Sequence, residues 1–493
     1  MTQRPHVATD LDRWVRRVRD TLDLSAQLRI AGGRPYALGR STAPTVEIVV
    51  RDRSVLPLLF DAQLDALGEA YVKQRIDVHG PLSDIVEAAT RLATLRQADP
   101  KPAADHPAQP PASDDTDAAN DHAQLRYHYD LSNDFYRLWL DDDLVYTPAR
   151  FEHAGDTLER AQRHALDCTL DELQLASEHT LLDVNCAWGA LVIRAAQRHG
   201  VRCIGITHAE NQYQLATERV RAAGLSERIE IRLADYRTQT GHFERIASVG
   251  LSAPTGAREL AQRFAKLHQL LADDGIVVAH SLTSAAPGVD PAAPPAGDLL
   301  AGPHLARYMF PAEPPPPVSF TLKAMQQYGL ESLGMENLRS QHALTLQCWL
   351  QRFERNAQRI RETIGETKYR IWRVYLAGRA YASAAGRMSL YQIVGQKAGR
   401  ATADASWAGA GLATSAAAPA SAATSATAAP ARIAAPTSTA ARTVTAANCA
   451  LSANAALYPC KTADSPYSEP APEARAQADA RPAPRGAANG ESA

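Results

Sequence analysis

The sequence carries no strong charge of either sign: 52 Lys and Arg stand against 54 Asp and Glu, a net −2. That balance leaves no electrostatic footprint for nucleic acid, and no such partner is expected. Paired cysteines are also missing. The six present (Cys168, Cys186, Cys203, Cys348, Cys449, Cys460) include no Cys-x-x-Cys. Their scatter argues against a zinc site or a disulfide framework and fits a reducing compartment, so no metal is expected. No apolar run reaches the roughly 18 residues of a membrane span, and the opening "MTQRPHVATDLDRWVRRVRD" lacks a signal-peptide core. These absences predict a soluble, cytoplasmic protein.

What is present divides by composition. Residues 1–97 read as a small α/β unit, with "TVEIVV" alternating like a strand and "LPLLFDAQLDALGEAYV" spaced like a helix. Residues 98–121, rich in Pro, Ala and Asp, have almost nothing to bury and read as a linker. Residues 122–396 carry the strongest periodicity. Residues 397–493 are Ala, Pro, Ser and Thr with few large apolar side chains, a composition expected to be disordered.

Within 122–396, strand-like and helix-like segments alternate. "TLLDVN" (180–185) precedes a helical run. "VRCIGIT" (201–207) precedes another that stops at Gly224, and "RIEIRLAD", "RIASVGL" and "IVVAHSL" (276–282) follow. Repeated βα units predict a parallel sheet covered on both faces, with its ligand beyond the strands' carboxyl ends. The turn "VNCAWGA" after the first strand is therefore the expected cofactor site. Such turns are usually glycine-rich, because glycine tolerates positive φ and lets a ligand approach the backbone. Here only Gly189 stands among Asn185, Ala187 and Ala190. An L-residue in the left-handed region costs about 1–2 kcal/mol, less for Asn; if two of these positions bear that cost, folding survives it, and the loss is expected in cofactor affinity.

Several motifs in the right order carry a family resemblance. "HYDLSNDFYRLWLDDDLVYT" (128–147), "LLDVNCAWGALVIRAA", "GVRCIGIT", "AAGLSERIEIRLADYR", "ENLRSQHALTLQCWLQRFE" and "GRMSLYQIV" resemble the cyclopropane-fatty-acyl-phospholipid synthases. "LGEAYVKQRIDVHGPL" (67–82) resembles that family's small lipid-associated amino-terminal domain. The resemblance implies a class I methyltransferase (Rossmann-like) α/β sheet with helical lid insertions over an acyl pocket. It implies S-adenosylmethionine as cofactor, and unsaturated phospholipid acyl chains at the inner membrane surface as substrate. A homodimer is left open. By position, Tyr146 and Thr147 would line the methionine end of the cofactor, and Asp183 and Gly189 belong to the first turn. Thr207, His208 and Gln212 match the ribose segment, and Asp235 with Tyr236 the adenine side. His280 and the Leu282 backbone stand where the family holds bicarbonate.

The sequence departs from that pattern at the chemistry. The family's Tyr-Ser-Cys is Tyr146-Thr147-Pro148, and proline has no N–H to offer an anion. Its Met-Phe-Glu-His is Leu251-Ser252-Ala253-Pro254, and the tyrosine of its His-Tyr pair falls at His342. Family-type bicarbonate binding is therefore expected to be weak, and His342 becomes an alternative base beside His280. Cys186, Trp188 and Tyr308 read as packing residues. "PAEPPPPVSF" (311–320) reads either as the mouth of the acyl pocket or as a plain surface loop. Three functions remain open at this level: a ring-forming acyl methyltransferase, methyl transfer without ring closure, and a silent lipid-binding relative.

Overall fold

The computed structural model describes residues 4–98, 131–250, 256–284 and 315–398. The readings of the tail, of nearly all the linker, of Ala253, of Tyr308 and of the start of the Pro-rich segment lie outside these residues.

The amino-terminal unit begins with helix α1 (Arg4–Thr21), whose Leu11, Trp14, Val15 and Val18 share one buried face at helical spacing. Strands β1 (Ala26–Ile30), β2 (Pro35–Ala37), β3 (Val46–Val50) and β4 (Ile76–His79) form a sheet ordered β2-β1-β3-β4. In β3, Val46, Ile48 and Val50 are buried and alternate with half-buried positions, as the sequence pattern requires. Helices α2 (Leu56–Phe60) and α3 (Leu64–Val72) connect β3 to β4, and α4 (Leu82–Ala98) follows β4.

The second unit holds α5 (Asn133–Arg137), α6 (Leu158–Glu172), β5 (Thr180–Asp183), α7 (Ala190–His199), β6 (Arg202–Thr207) and α8 (Glu210–Ala222). It continues through β7 (Ile229–Leu233), β8 (Phe243–Ser248), α9 (Ala257–Leu270) and β9 (Leu271–Ser284). Last come α10 (Val318–Gln327), β10 (Leu330–Asn337), α11 (Arg339–Arg355), α12 (Ala357–Ala384, interrupted at Gly365) and β11 (Met388–Lys397). The sheet order is β10-β11-β9-β8-β5-β6-β7. This is the α/β sheet that the βα repeats predict, with one correction. Strands β9, β8, β5, β6 and β7 are parallel, but β11 and β10 add to the β9 edge antiparallel. β11 pairs with β9 from Met388↔Ser284 to Gln396↔Ile276. That long-range pairing carries no local signal in either strand.

Helix α12 joins the two units through buried charge. Arg370 donates to the Asp77 carboxylate at 2.6 Å, to the Tyr71 carbonyl at 2.9 Å and to Glu366 at 2.5 Å. Arg373 pairs with Glu354 at 3.0 Å and donates to the Tyr71 hydroxyl at 3.1 Å. Burial alone would raise the Asp77 carboxyl, but Arg370 and Arg51 together hold it below its ordinary value. A depressed folded value stabilises the protein above the unfolded carboxylate range, and that contribution is lost as pH falls toward acid. Arg370→Met would leave Asp77 buried with Arg51 alone. It should lower unfolding free energy by about 3 kcal/mol, seen as a reduced denaturant midpoint with unchanged slope. An unchanged midpoint would show that Arg51 suffices.

Candidate cofactor and active site

Strand β5 ends at Asp183, which is buried and accepts the Asn185 N–H at 3.2 Å. Burial pushes this carboxyl up to about 7. The turn closes by Gly189 N–H to the Cys186 carbonyl at 2.8 Å, and Cys186 N–H reaches the Ile206 carbonyl of β6 at 2.8 Å. Cys186 lies flush on Gly205: a Cβ there would stand 2.8 Å from its sulfur. Burial raises the Cys186 thiol well above its ordinary value, so it packs and is not a nucleophile.

The backbone corrects the expectation for the missing glycines. Only Ala187, at φ 47°, sits in the left-handed region, alongside Gly189 at φ 82°. Asn185 and Ala190 have ordinary backbone, and Ala190 simply opens α7. The Asn185 side chain lies against Gly250, where an added Cβ would come within 2.2 Å of its amide nitrogen. One position, not two, bears the conformational cost.

The facing wall is the segment after α5. Tyr146 is held among aromatic rings, 5.1 Å from Trp349, 5.6 Å from Trp139 and 6.3 Å from Tyr136. Tyr136 also packs on Trp188 of the turn at 4.7 Å, and the Trp188 indole donates to Asn133 at 2.7 Å. Arg219 of α8 donates to the Trp188 and Asp143 carbonyls, both at 2.9 Å, tying turn to wall. The Gln162 side chain donates to the Thr147 carbonyl at 3.1 Å. Tyr146, Thr147, Pro148, Asp183, Asn185 and His280 all line one cavity at the carboxyl ends of the strands. It is narrow, about 50 Å³.

The ribose and adenine candidates stand further along the same sheet edge, outside that cavity. Thr207 ends β6, and its hydroxyl donates to Gln212 Oε1 at 2.7 Å. Gln212 Nε2 is buried without a hydrogen-bond partner, a donor that a ligand hydroxyl would satisfy. His208 is half-buried beside Thr207. Asp235 follows β7 and accepts both the Arg237 N–H and its guanidinium at 2.8 Å. Burial opposes these bonds but does not outweigh them, and the carboxyl stays below its ordinary value. Tyr236 is half-buried against the β8–α9 core.

His280 lines the cavity, and His342 is near enough for the His280 charge to act on it. His280 of β9 is buried, with Nε2 3.2 Å from the side-chain Oε1 of Gln392 across the β9–β11 pair. Burial brings it down to about 4 despite Gln392, with the Arg150 charge adding to the fall. His342 of α11 is fully buried, its Nδ1 3.4 Å from the Ser383 hydroxyl. Burial, then the Arg379 and His280 charges, hold it well below its ordinary value. Both rings are neutral and weakly basic at physiological pH. Sequence reasoning had missed Asn133, Arg219, Gln392 and Arg379. The only signal available was that charged and amide side chains interrupt otherwise apolar runs.

A family model described as mycolic acid cyclopropane synthetase matches residues 116–393, more than half of the chain. The chain belongs to that family. A domain of unknown function matches residues 14–97. A probable fatty acid methyltransferase of Pseudomonas putida is 32% identical, across 76% of this chain and 93% of that protein. A sphingolipid C9-methyltransferase of Komagataella phaffii is 27% identical, the match spanning 57% of this chain and little more than half, 58%, of that relative. The mycolic acid cyclopropane synthase CmaA1, solved with SAH and CTAB, has a TM-score of 0.53 at 28% identity; the match covers 56% of this chain and 98% of that one. The cyclopropane synthase MmaA2 from Mycobacterium tuberculosis gives 0.52 at 28%, with the same coverage of each chain.

The protein is an S-adenosylmethionine-dependent methyltransferase of this family, and its residues fit that cofactor. The unsatisfied Gln212 amide and the buried, uncompensated Asp183 both suit a ligand with hydroxyl and cationic groups.

Two predictions follow from the turn. Ala187→Gly should relieve about 1–2 kcal/mol of backbone cost and tighten S-adenosylmethionine binding by up to about tenfold, whereas Ala190→Gly should bring no gain. Equal gains at both positions in calorimetric titration would mean that side-chain volume, not backbone angle, limits affinity. Because Asp183 is raised from 3.8 to about 7, affinity for the cationic cofactor should climb as pH rises toward 7 and level off above it. The same shift makes the free protein lose stability across that interval as pH rises. Asp183→Asn should flatten the affinity profile, and a flat profile in the unaltered protein would refute the charge argument.

Proposed function

We propose that the protein methylates double bonds in phospholipid acyl chains, and that its product is mainly a methyl-branched, still unsaturated chain, not a cyclopropane. The observation that carries this reading is the buried, neutral, weakly basic His280 in the wall of the cofactor cavity, with the equally weak base His342 buried outside that lining. Bound S-adenosylmethionine would supply an electrophilic methyl group to the alkene: as the C–C bond forms, the S–CH3 bond breaks with its electron pair going to sulfur, and a cation is left on the chain. Aromatic faces such as that of Tyr146 favour a nearby positive charge. The outcome then depends on which proton leaves. Loss from the transferred methyl group, with its C–H pair forming the third C–C bond, closes a ring. Loss from a neighbouring chain carbon leaves a methyl branch and a double bond within the chain.

Ring closure needs a base held over the new methyl group within hydrogen-bond reach. His280 is committed to Gln392, and His342 sits deeper, against Ser383. Pro148 offers no donor to help hold an anion of the family type. Among the relatives, names that include fatty acid and sphingolipid methyltransferases support an acyl substrate. The amino-terminal unit adds an apolar cavity of about 130 Å³ lined by Ile48, Leu59, Leu67 and Val374, which suits contact with lipid. Among the described residues no helix is long and apolar enough to cross a membrane, which agrees with peripheral contact. Partnering with a second copy remains part of this reading only as a proposal.

Purified protein, labelled S-adenosylmethionine and unsaturated phospholipid vesicles test it. Labelled acyl chains that still add hydrogen on catalytic reduction should exceed saturated cyclopropane products. Predominant cyclopropane would restore the ring-forming reading. No labelled lipid, with cofactor binding intact, would leave the silent scaffold.

A further inference from the structure

Asn133 opens helix α5 and is not among the residues that line the cofactor cavity. Its amide is nevertheless engaged at both ends. Oδ1 accepts the Trp188 indole N–H at 2.7 Å, and Nδ2 donates to the Asn211 carbonyl at 3.0 Å. Asn211 answers in kind. Its side chain donates to the Leu131 carbonyl, and its Oδ1 accepts the Gln212 N–H at 2.9 Å. One half-buried side chain thus reaches both the turn after β5 and the first turn of α8.

The two segments it joins serve different parts of the cofactor site. Trp188 stands in the turn with Asp183 and Gly189. Gln212, whose buried Nε2 has no partner, is the ribose candidate beside Thr207. Among side chains of this length, an amide suits both contacts. An indole N–H can only donate, so it fixes Oδ1 as the acceptor and turns Nδ2 toward Asn211. A carboxylate would keep the indole bond but set an oxygen against the Asn211 carbonyl. An apolar side chain would leave the indole N–H of a tryptophan that is 1% exposed without its acceptor. Further along α8, Arg219 holds the Trp188 carbonyl. The backbone of the turn is therefore tied to α8 by Arg219, and its side chain is tied there by Asn133.

A bond to either segment alone would serve folding. Bonds to both set their separation, and a ligand that spans them depends on that separation. Once one part of such a ligand is seated, the second contact is effectively intramolecular, and its gain depends on spacing more than on the strength of either half. We propose that Asn133 is a positioning residue that sets the spacing between the Asp183–Gly189 turn and the Thr207–Gln212 segment, and so determines how tightly the whole cofactor binds. It acts through Trp188 and Asn211. The proposal rests on the assignment of Thr207 and Gln212 to the ribose and is independent of the acyl product.

Binding of the whole cofactor and of a fragment, measured on the full chain, separates this role from a structural one. S-adenosylhomocysteine spans both segments without reacting and is titrated calorimetrically. Adenosine reaches only the ribose and adenine side and is followed by ligand-observed NMR. Asn133→Ala should weaken S-adenosylhomocysteine binding by about tenfold, the order of one lost hydrogen bond, while adenosine affinity stays within error of the unaltered protein. Asn133→Asp keeps the indole acceptor but loses the tie to α8. It should show the same selective loss, and it carries the test alone should Asn133→Ala fail to fold. Equal loss for both ligands would make Asn133 a support of the ribose segment only and overturn the proposal. Loss for neither, or Asn133→Asp binding like the unaltered protein, would show that Arg219 sets the spacing by itself. Absence of adenosine binding to the unaltered protein would mean that no prepared half-site exists, and the proposal would fall with it.

Discussion

The packing of Tyr136, Trp139, Tyr146, Trp188, Trp349 and Trp372 into one aromatic cluster is the constraint on which the site depends. The rings come from four parts of the chain: the segment around α5 gives three, and the turn after β5, helix α11 and helix α12 give one each. Edge-on and tilted contacts at 4.7–5.7 Å fix their relative angles as well as their separation. The cofactor turn and its facing wall thus form one body. Without the cluster, Asp183 would have a strand but no opposing Tyr146, and the cavity would have no second side.

Charge is distributed to serve that body. Arg219 binds the Trp188 carbonyl and Asp143, and so repeats in hydrogen bonds what Trp188 and Tyr136 do by packing. Arg352 pairs with Glu159 at 2.5 Å under the same layer, linking α11 to α6. Buried pairs of this kind add modest net stability but penalise any other arrangement heavily, because a broken pair leaves a charge in a dry interior. Arg370 applies the same logic between the two units through Asp77, while Arg373, paired with Glu354 inside the second unit, reaches the first by a hydrogen bond to Tyr71.

The turn shows how far local rules reach. Glycine at Ala187 is what the backbone angle asks for, and the alanine there is a real departure from the glycine-rich pattern. At Asn185 and Ala190 the same pattern suggested strain that does not exist, because the chain bends elsewhere. The cost was shifted onto Gly250 and Gly205, which have no side chains and so receive Asn185 and Cys186. A pattern records which residue is usual at a position; it does not record which neighbour makes room for another.

By itself the sequence determined the βα alternation, the strands ending at Asp183 and Thr207, and the place of the cofactor turn. These follow from hydrophobic period and turn chemistry, which act over a few residues. It also determined the family, because several motifs recur in one order over most of the chain. Only tertiary structure decided that β11 and β10 close the sheet antiparallel, since strand partners are chosen by burial and pairing across more than 100 residues. Only there could His280 and His342, 62 residues apart in sequence, share a dry cluster with Arg379 and lose their basicity to burial. Basicity belongs to the surroundings of a side chain, and those surroundings are assembled from segments that carry no mark of one another.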